Sequence, residues 1–179
     1  SPVCTPSRAS WVSGLYPQAT GSASNNLPLN DSVITFAEVL RQRGYATSYL
    51  GKWHLDGDAK PGWAPPRKFG FSDNRFMFNR GHWKKFEMTE DGPQVATTKN
   101  GNPVYDLSDA DEKSFATDWL VDRSVEILER DKGKPFCLML ALPDPHGPNT
   151  VRPPYDTMYN HLTFQQPVTM RKVLAALQN

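Results

Sequence analysis

Twice along this chain of 179 residues a helical pattern stops at a glycine and gives way to an apolar strand. The first pattern carries Ile34, Ala37, Val39 and Leu40, has Asp31 or Ser32 available as its cap, and ends at Gly44. Tyr45-Ala46-Thr47-Ser48-Tyr49-Leu50 then alternates with high β-propensity. The second begins at Ser114, where Phe115, Trp119, Leu120, Ile127 and Leu128 have amphipathic spacing, and Lys132-Gly133-Lys134 closes it. Pro135 to Leu142 follows as a buried strand. Helix, glycine, strand is the αβ half of a parallel unit. The pattern therefore predicts an α/β domain with a mainly parallel sheet flanked by helices.

Between these units, residues 56–112 hold much of the Pro, Gly and Asn and several aromatics. They read as an irregular insertion of the kind that walls a binding pocket. A hairpin is expected around Asn100-Gly101, with Gln94–Thr98 and Pro103–Leu107 as its arms. A short helix is expected between Val168 and Leu177. Composition excludes two partner classes: a net charge of +1 gives no bulk attraction to nucleic acid or to a membrane surface. No apolar run is long enough to span a bilayer. Cys137, inside the second strand, reads as a core thiol.

In open parallel sheets, ligands bind beyond the carboxyl ends of the strands. Both strand ends here carry histidine, in Gly51-Lys52-Trp53-His54-Leu55 and in Pro143-Asp144-Pro145-His146-Gly147-Pro148. Lys52 and His54 stand two apart, so an extended segment projects both to one side. A cation beside a proton-transfer group suits an anionic ester. Asp144 reads as shaping its loop, and His161 as a surface residue. Arg80 and His82 either reach substrate or serve the structure of their own loop. Asp56 and Asp58 flank Gly57 without the rest of a calcium-loop pattern.

The richest chemistry opens the chain, in Ser1-Pro2-Val3-Cys4-Thr5-Pro6-Ser7-Arg8-Ala9-Ser10-Trp11-Val12-Ser13-Gly14. Pro6 suits a first helical turn, which puts Cys4 just ahead of the helix at the positive end of its dipole. Arg8 adds a permanent charge with a fork suited to oxyanions. The run resembles the Cys-x-Pro-x-Arg signature of type I sulfatases, in which the cysteine is oxidised to formylglycine. Gly44 to His54 resembles the second sulfatase signature, and Pro145-His146 a later Pro-His element. The resemblance covers Ser1 to about Tyr159, with mild departures at Ser13 and Leu50, and nothing after Leu162 matches.

That resemblance implies a partial alkaline-phosphatase-like sandwich, truncated at both ends, with residues 1–179 an internal stretch of the catalytic domain. It implies hydrolysis of sulfate esters, of a sulfated carbohydrate or an aryl sulfate, through formylglycine at position 4. The implied catalytic set is Cys4, Arg8, Lys52, His54 and His146. Lys52 and His146 would hold sulfate oxygens, and Arg80 and His82 are further substrate-binding candidates. The implied cofactor is one calcium ion, touched here by position 4 alone, so residues 1–179 are expected to bind it poorly and turn over little. The implied partners are the sulfate ester and a formylglycine-generating or sulfatase-maturating enzyme, in a periplasmic, secreted or lysosomal setting. Three alternatives stay open: a phosphonate monoester or phosphodiester hydrolase of the same superfamily, a non-catalytic binding module, and a hydrolase using the Cys4 thiol with His54.

Overall fold

In a computed structural model, residues 3–167 and 170 are described. Three parallel strands form the central sheet in the order β2-β1-β7, with β1 at Ala46–Lys52, β2 at Asp73–Phe78 and β7 at Phe136–Ala141. The helices are α1 (Cys4–Ser13), α2 (Pro17–Thr20), α3 (Phe36–Gln42) and α4 (Ala116–Asp131). Two small hairpins, β3–β4 (Phe86–Thr89 and Gly92–Val95) and β5–β6 (Thr98–Lys99 and Asn102–Pro103), lie between β2 and α4.

The period-2 geometry of the strands sorts the core into two layers. Tyr49, Met77 and Met139 face one side, where Ala9 and Val12 of α1 and Ala37 of α3 pack with Trp53, Phe69 and Phe71. Leu50, Phe76 and Phe78 face the other, against Ala116, Trp119, Leu120 and Ile127 of α4. The result is an α/β sandwich with helices on both faces of a parallel sheet. β1 is the central strand and is buried from Thr47 onward.

Two features level the strand ends. β1 and β7 pair without a slip from Ala46–Phe136 to Gly51–Ala141. β1 and β2 slip once between Ser48 and Leu50, and the pairing then continues past the strand end: Trp53 N–H donates to Phe78 O and His54 N–H to Asn79 O, both at 2.8 Å. Gly51 has φ +92°, and a Cβ there would lie 2.1 Å from the Ala141 carbonyl oxygen. Only glycine permits this close approach.

Several expectations are corrected. α3 is capped by Thr35, not by Asp31 or Ser32. Thr35 Oγ1 accepts from Glu38 N–H at 3.2 Å, and Glu38 Oε2 accepts from Thr35 N–H at 2.7 Å, a reciprocal capping box. Ile34 lies outside the helix and is 64% exposed. α1 starts at Cys4 itself, so Cys4 is its first residue and does not precede it. The stretch 56–112 is less irregular than its composition implied, since it supplies β2 and the β3–β4 pair. The Asn100-Gly101 hairpin forms with arms of only two residues each, because Gln94 and Val95 pair with β3 instead. Cys137 is half-buried, on a strand paired only with β1 among the described residues, and burial pushes its thiol up. Both cysteines are free. The helix expected between Val168 and Leu177 falls almost wholly outside the described residues. No helix among the described residues is long and apolar enough to cross a membrane.

Candidate functional site

The end of β1 delivers Lys52 and His54 to one cavity of about 200 Å³, which Asn25, Asn26, Lys60, Arg80, Gly81, His82 and Tyr105 complete. Its lining contains no carboxylate. Both side chains reach it although the segment is not extended there, since His54 takes φ +63°. Strained non-glycine backbone of this kind concentrates at functional sites. Stretch 56–112 contributes Lys60, Arg80, Gly81, His82 and Tyr105 to the wall.

Lys52 is 3% exposed, and its Nζ donates to His82 Nε2 at 2.7 Å. That contact requires a lone pair on His82 Nε2. Burial, with Lys52, His146, His54 and Lys60 nearby, pushes His82 down to about 3, so the ring is neutral near pH 7. The Lys52 ammonium is itself lowered to about 8, chiefly by burial, with Cys4 opposing and Arg8 and Arg80 assisting. His54 falls to about 4 through burial and then the charges of Lys52, Arg8, Arg80 and His146. Desolvation and like charge act together on all three groups.

His146 arrives from the loop after β7. Its ring stacks on His82 with centroids 3.5 Å apart and planes at 11°, and its Nδ1–H donates to Gly147 O at 3.1 Å. Asp144, as expected, shapes this loop: its carboxylate pairs with the buried Lys84 and accepts from Thr117 Oγ1 at 2.8 Å. Arg80 lines the cavity and is ion-paired to Asp58 at 2.7 Å. His161 is exposed.

Cys4 and Arg8 line a separate opening of about 340 Å³ with Ser7, Trp11, Met139, Leu140 and Ala141. Arg8 turns inward: its Nη1 donates to Lys52 O at 2.5 Å and to the Tyr49 hydroxyl at 3.3 Å. Tyr49 donates to the same Lys52 carbonyl at 2.6 Å, and burial pushes its phenol up to about 12. Position 4 is tied to the first cavity through its neighbour, since Thr5 Oγ1 donates to His54 O at 3.0 Å.

The structure thus gathers Lys52, His54, His82, Arg80 and His146 around the leveled strand ends, with Cys4 and Arg8 alongside. Asn25 and Asn26 were not expected. Asn25 Oδ1 accepts from Thr5 N–H at 3.0 Å, one of the free donors of the α1 terminus, and Asn26 Oδ1 meets His54 Nε2 at 3.0 Å. They sit in a Ser- and Asn-rich loop with no hydrophobic period to single them out.

The Sulfatase family model matches residues 1–176. The chain belongs to the sulfatase family. This sulfatase chain is 32% identical over 167 residues to the ulvan-active sulfatase of Formosa agariphila, covering 89% of this chain and 30% of that protein. It is 29% identical to the N-acetylglucosamine-6-O-sulfatase of Bacteroides thetaiotaomicron, covering 92% and 26%. Among solved structures, Ps i-CgsB in complex with k-i-k-neocarrahexaose superimposes with a TM-score of 0.65 at 25% identity, over 90% of this chain and 39% of that one. The sulfatase chain therefore spans about a third or less of the length of these curated relatives. Its sandwich is part of the alkaline-phosphatase-like fold that the family shares.

A larger cavity of about 490 Å³ lies beside Asp144 and Pro145, lined also by Phe115, Thr117, Asp118, Val151 and Tyr155. Its lining has neither a histidine nor a basic side chain.

Proposed function

We propose that this chain supplies the nucleophile and the sulfate-binding groups of a sulfuric ester hydrolase whose position 4 works as formylglycine. The observation that carries the reading is the carboxylate-free cavity at the end of β1, where Lys52, His54 and His82 meet and on which His146 stacks. Cys4 suits conversion, being free and half-buried at the mouth of its own opening. A hydrated aldehyde there offers two hydroxyls on one carbon, one to attack sulfur and the other to release sulfate as the aldehyde returns.

Lys52 offers a buried ammonium to the sulfate oxygens, where low dielectric strengthens the attraction. His54, held neutral, takes the proton whose removal drives sulfate release. His146 has its Nδ1–H committed to Gly147; in its imidazolium form the Nε2–H hands its proton to the departing alcohol and leaves the neutral ring. Arg8 holds the Lys52 carbonyl and aligns α1 with the end of β1. His82 receives the Lys52 ammonium and backs the His146 ring. Arg80, with Asp58 as its partner, is the weaker substrate contact of the two candidates in that loop.

Of the calcium ligands that the resemblance implies, position 4 alone lies in this chain. No group of three or more His, Cys, Asp or Glu side chains that could hold a metal gathers among the described residues. No step here is assigned to the calcium ion. The substrate class favoured is a sulfated carbohydrate: Lys60 lies over Tyr105 at 5.0 Å, and both line the cavity, an aromatic and cationic wall suited to a sugar ring with an anionic group. A maturating enzyme is the required partner, and a periplasmic, secreted or lysosomal setting accompanies the reading.

The test pairs two measurements on the full-length protein, produced with a maturating enzyme. Mass spectrometry of the position 4 peptide is expected to find the aldehyde. Hydrolysis of an aryl sulfate is expected to exceed that of a phosphonate monoester or a phosphate diester. An unconverted thiol with full activity, abolished by alkylation, would favour the Cys4 thiol with His54. A faster phosphonate reaction would move the protein to its superfamily neighbours.

A further inference from the structure

Every polar atom of His54 but one has a partner. Its N–H donates to Asn79 O at 2.8 Å, its carbonyl accepts from Thr5 Oγ1 at 3.0 Å, and its Nε2 meets Asn26 Oδ1 at 3.0 Å. Nδ1 is buried and unpartnered among the described residues. The residue is only 8% exposed. Asn26 is as constrained as its partner: it takes φ +68°, facing His54 at φ +63°, and its N–H reaches Thr5 Oγ1 at 3.4 Å. Asn26, Thr5 and His54 thus close a ring of hydrogen bonds beside position 4.

An amide oxygen only accepts, so the ring nitrogen facing it must carry the proton. We infer that Asn26 is a positioning residue that fixes His54 with its proton on Nε2, making Nδ1 the atom that accepts a proton in the reaction. The inference rests on the function proposed above and adds which nitrogen works and what sets it. An amide suits this place better than a carboxylate. The groups that act on the ring are Lys52, Arg8, Arg80 and His146, all basic. A carboxylate in the same position would draw a second proton onto the ring and use up the base, whereas Asn26 orients it and leaves it neutral.

The tautomer is read directly from two-bond proton–nitrogen correlations of the full-length protein labelled with 15N-histidine, at pH 7. The expected pattern has a protonated Nε2, an unprotonated Nδ1 and an Nε2–H proton protected from solvent exchange. Asn26→Ala is expected to lose that protected proton while the backbone amide spectrum stays folded. Asn26→Asp keeps the accepting oxygen, so it should retain the proton and raise the proton affinity of His54 at least tenfold. A proton found on Nδ1 in the unmodified chain overturns the inference, as does an Nε2–H unchanged by Asn26→Ala or a titration unmoved by Asn26→Asp. Should Asn26→Ala not fold, the unmodified chain and Asn26→Asp decide. None of these readings involves turnover. The expected spectra with no sulfate ester hydrolysis by the full-length protein would sink the proposed function alone. Hydrolysis with the proton on Nδ1 would sink the inference alone.

Discussion

Gly51→Ala attacks the sheet and the site through one methyl group. The new Cβ would lie 2.1 Å from Ala141 O and 2.7 Å from Ala141 C, both backbone atoms that no rotamer change can move. The residue must also keep φ +92°, a conformation that side-chain-bearing residues avoid. Backbone strain of this kind costs about 1–3 kcal/mol. Forcing a methyl into a packed interior costs about 1–3 kcal/mol more. Together the loss is about 2–6 kcal/mol, a large share of the ~5–15 kcal/mol that holds a domain together. Urea unfolding followed by tryptophan fluorescence would measure it, since Trp53 and Trp119 are buried on opposite faces of the sheet. With a slope of about 1–3 kcal/mol per molar, the midpoint should fall by about 0.7 M or more. A shift under about 0.3 M at unchanged slope would refute the close-approach argument.

Two further predictions concern protonation. Inorganic sulfate bound by the chain, followed by calorimetry, should hold steady below about pH 8 and weaken about tenfold per pH unit above it as the Lys52 ammonium is lost; affinity unchanged to pH 9.5 would remove Lys52 from the anion site. His54 and His82 sit near 4 and 3 in the folded chain against 6.5 when free, so the unfolded chain binds more protons between those values. Stability should therefore fall as pH drops from about 6.5 toward 4. Asp73 and Asp131, both lowered to about 2, lose their contribution only below the free carboxylate value of 3.8. Melting temperatures at pH 7.5, 5.5, 4.5 and 3 would separate the two windows, and a Tm flat down to pH 4.5 would contradict the buried, neutral imidazoles.

The parts of the fold legible in the sequence are those whose burial follows a regular period. In α4 the buried residues Trp119, Leu120 and Ile127 recur at helical spacing, and β1 and β7 are apolar runs started by a glycine turn and a proline. β2 was hidden because Asp73-Asn74-Arg75 are poor strand formers. Its place is set by tertiary contacts: pairing with β1, Asn74 Nδ2 donating to Pro65 O at 2.9 Å, and Arg130 of α4 reaching Asp73 at 2.6 Å. Asp31 and Ser32 are equally good cap residues for α3 by type, and only the Thr35–Glu38 spacing carries the reciprocal bond. Within the site, Lys52, His54 and His146 were legible as strand-end residues. The Lys52–His82 contact joins residues 30 apart, and Asn26 acts through an unpatterned loop, so neither leaves a local trace.

Arg8 has a consequence of its own. Its charge helps to hold His54 neutral, while its Nη1 bonds the Lys52 carbonyl and the Tyr49 hydroxyl. It acts as a spacer bar, setting how far the helix that begins at position 4 stands from the strand that ends at Lys52. Shortening or bending that bar would put position 4 and Lys52, the proposed nucleophile and anion holder, out of step. Loss of function at Arg8 would then be a fault of alignment, visible in turnover before it is visible in binding.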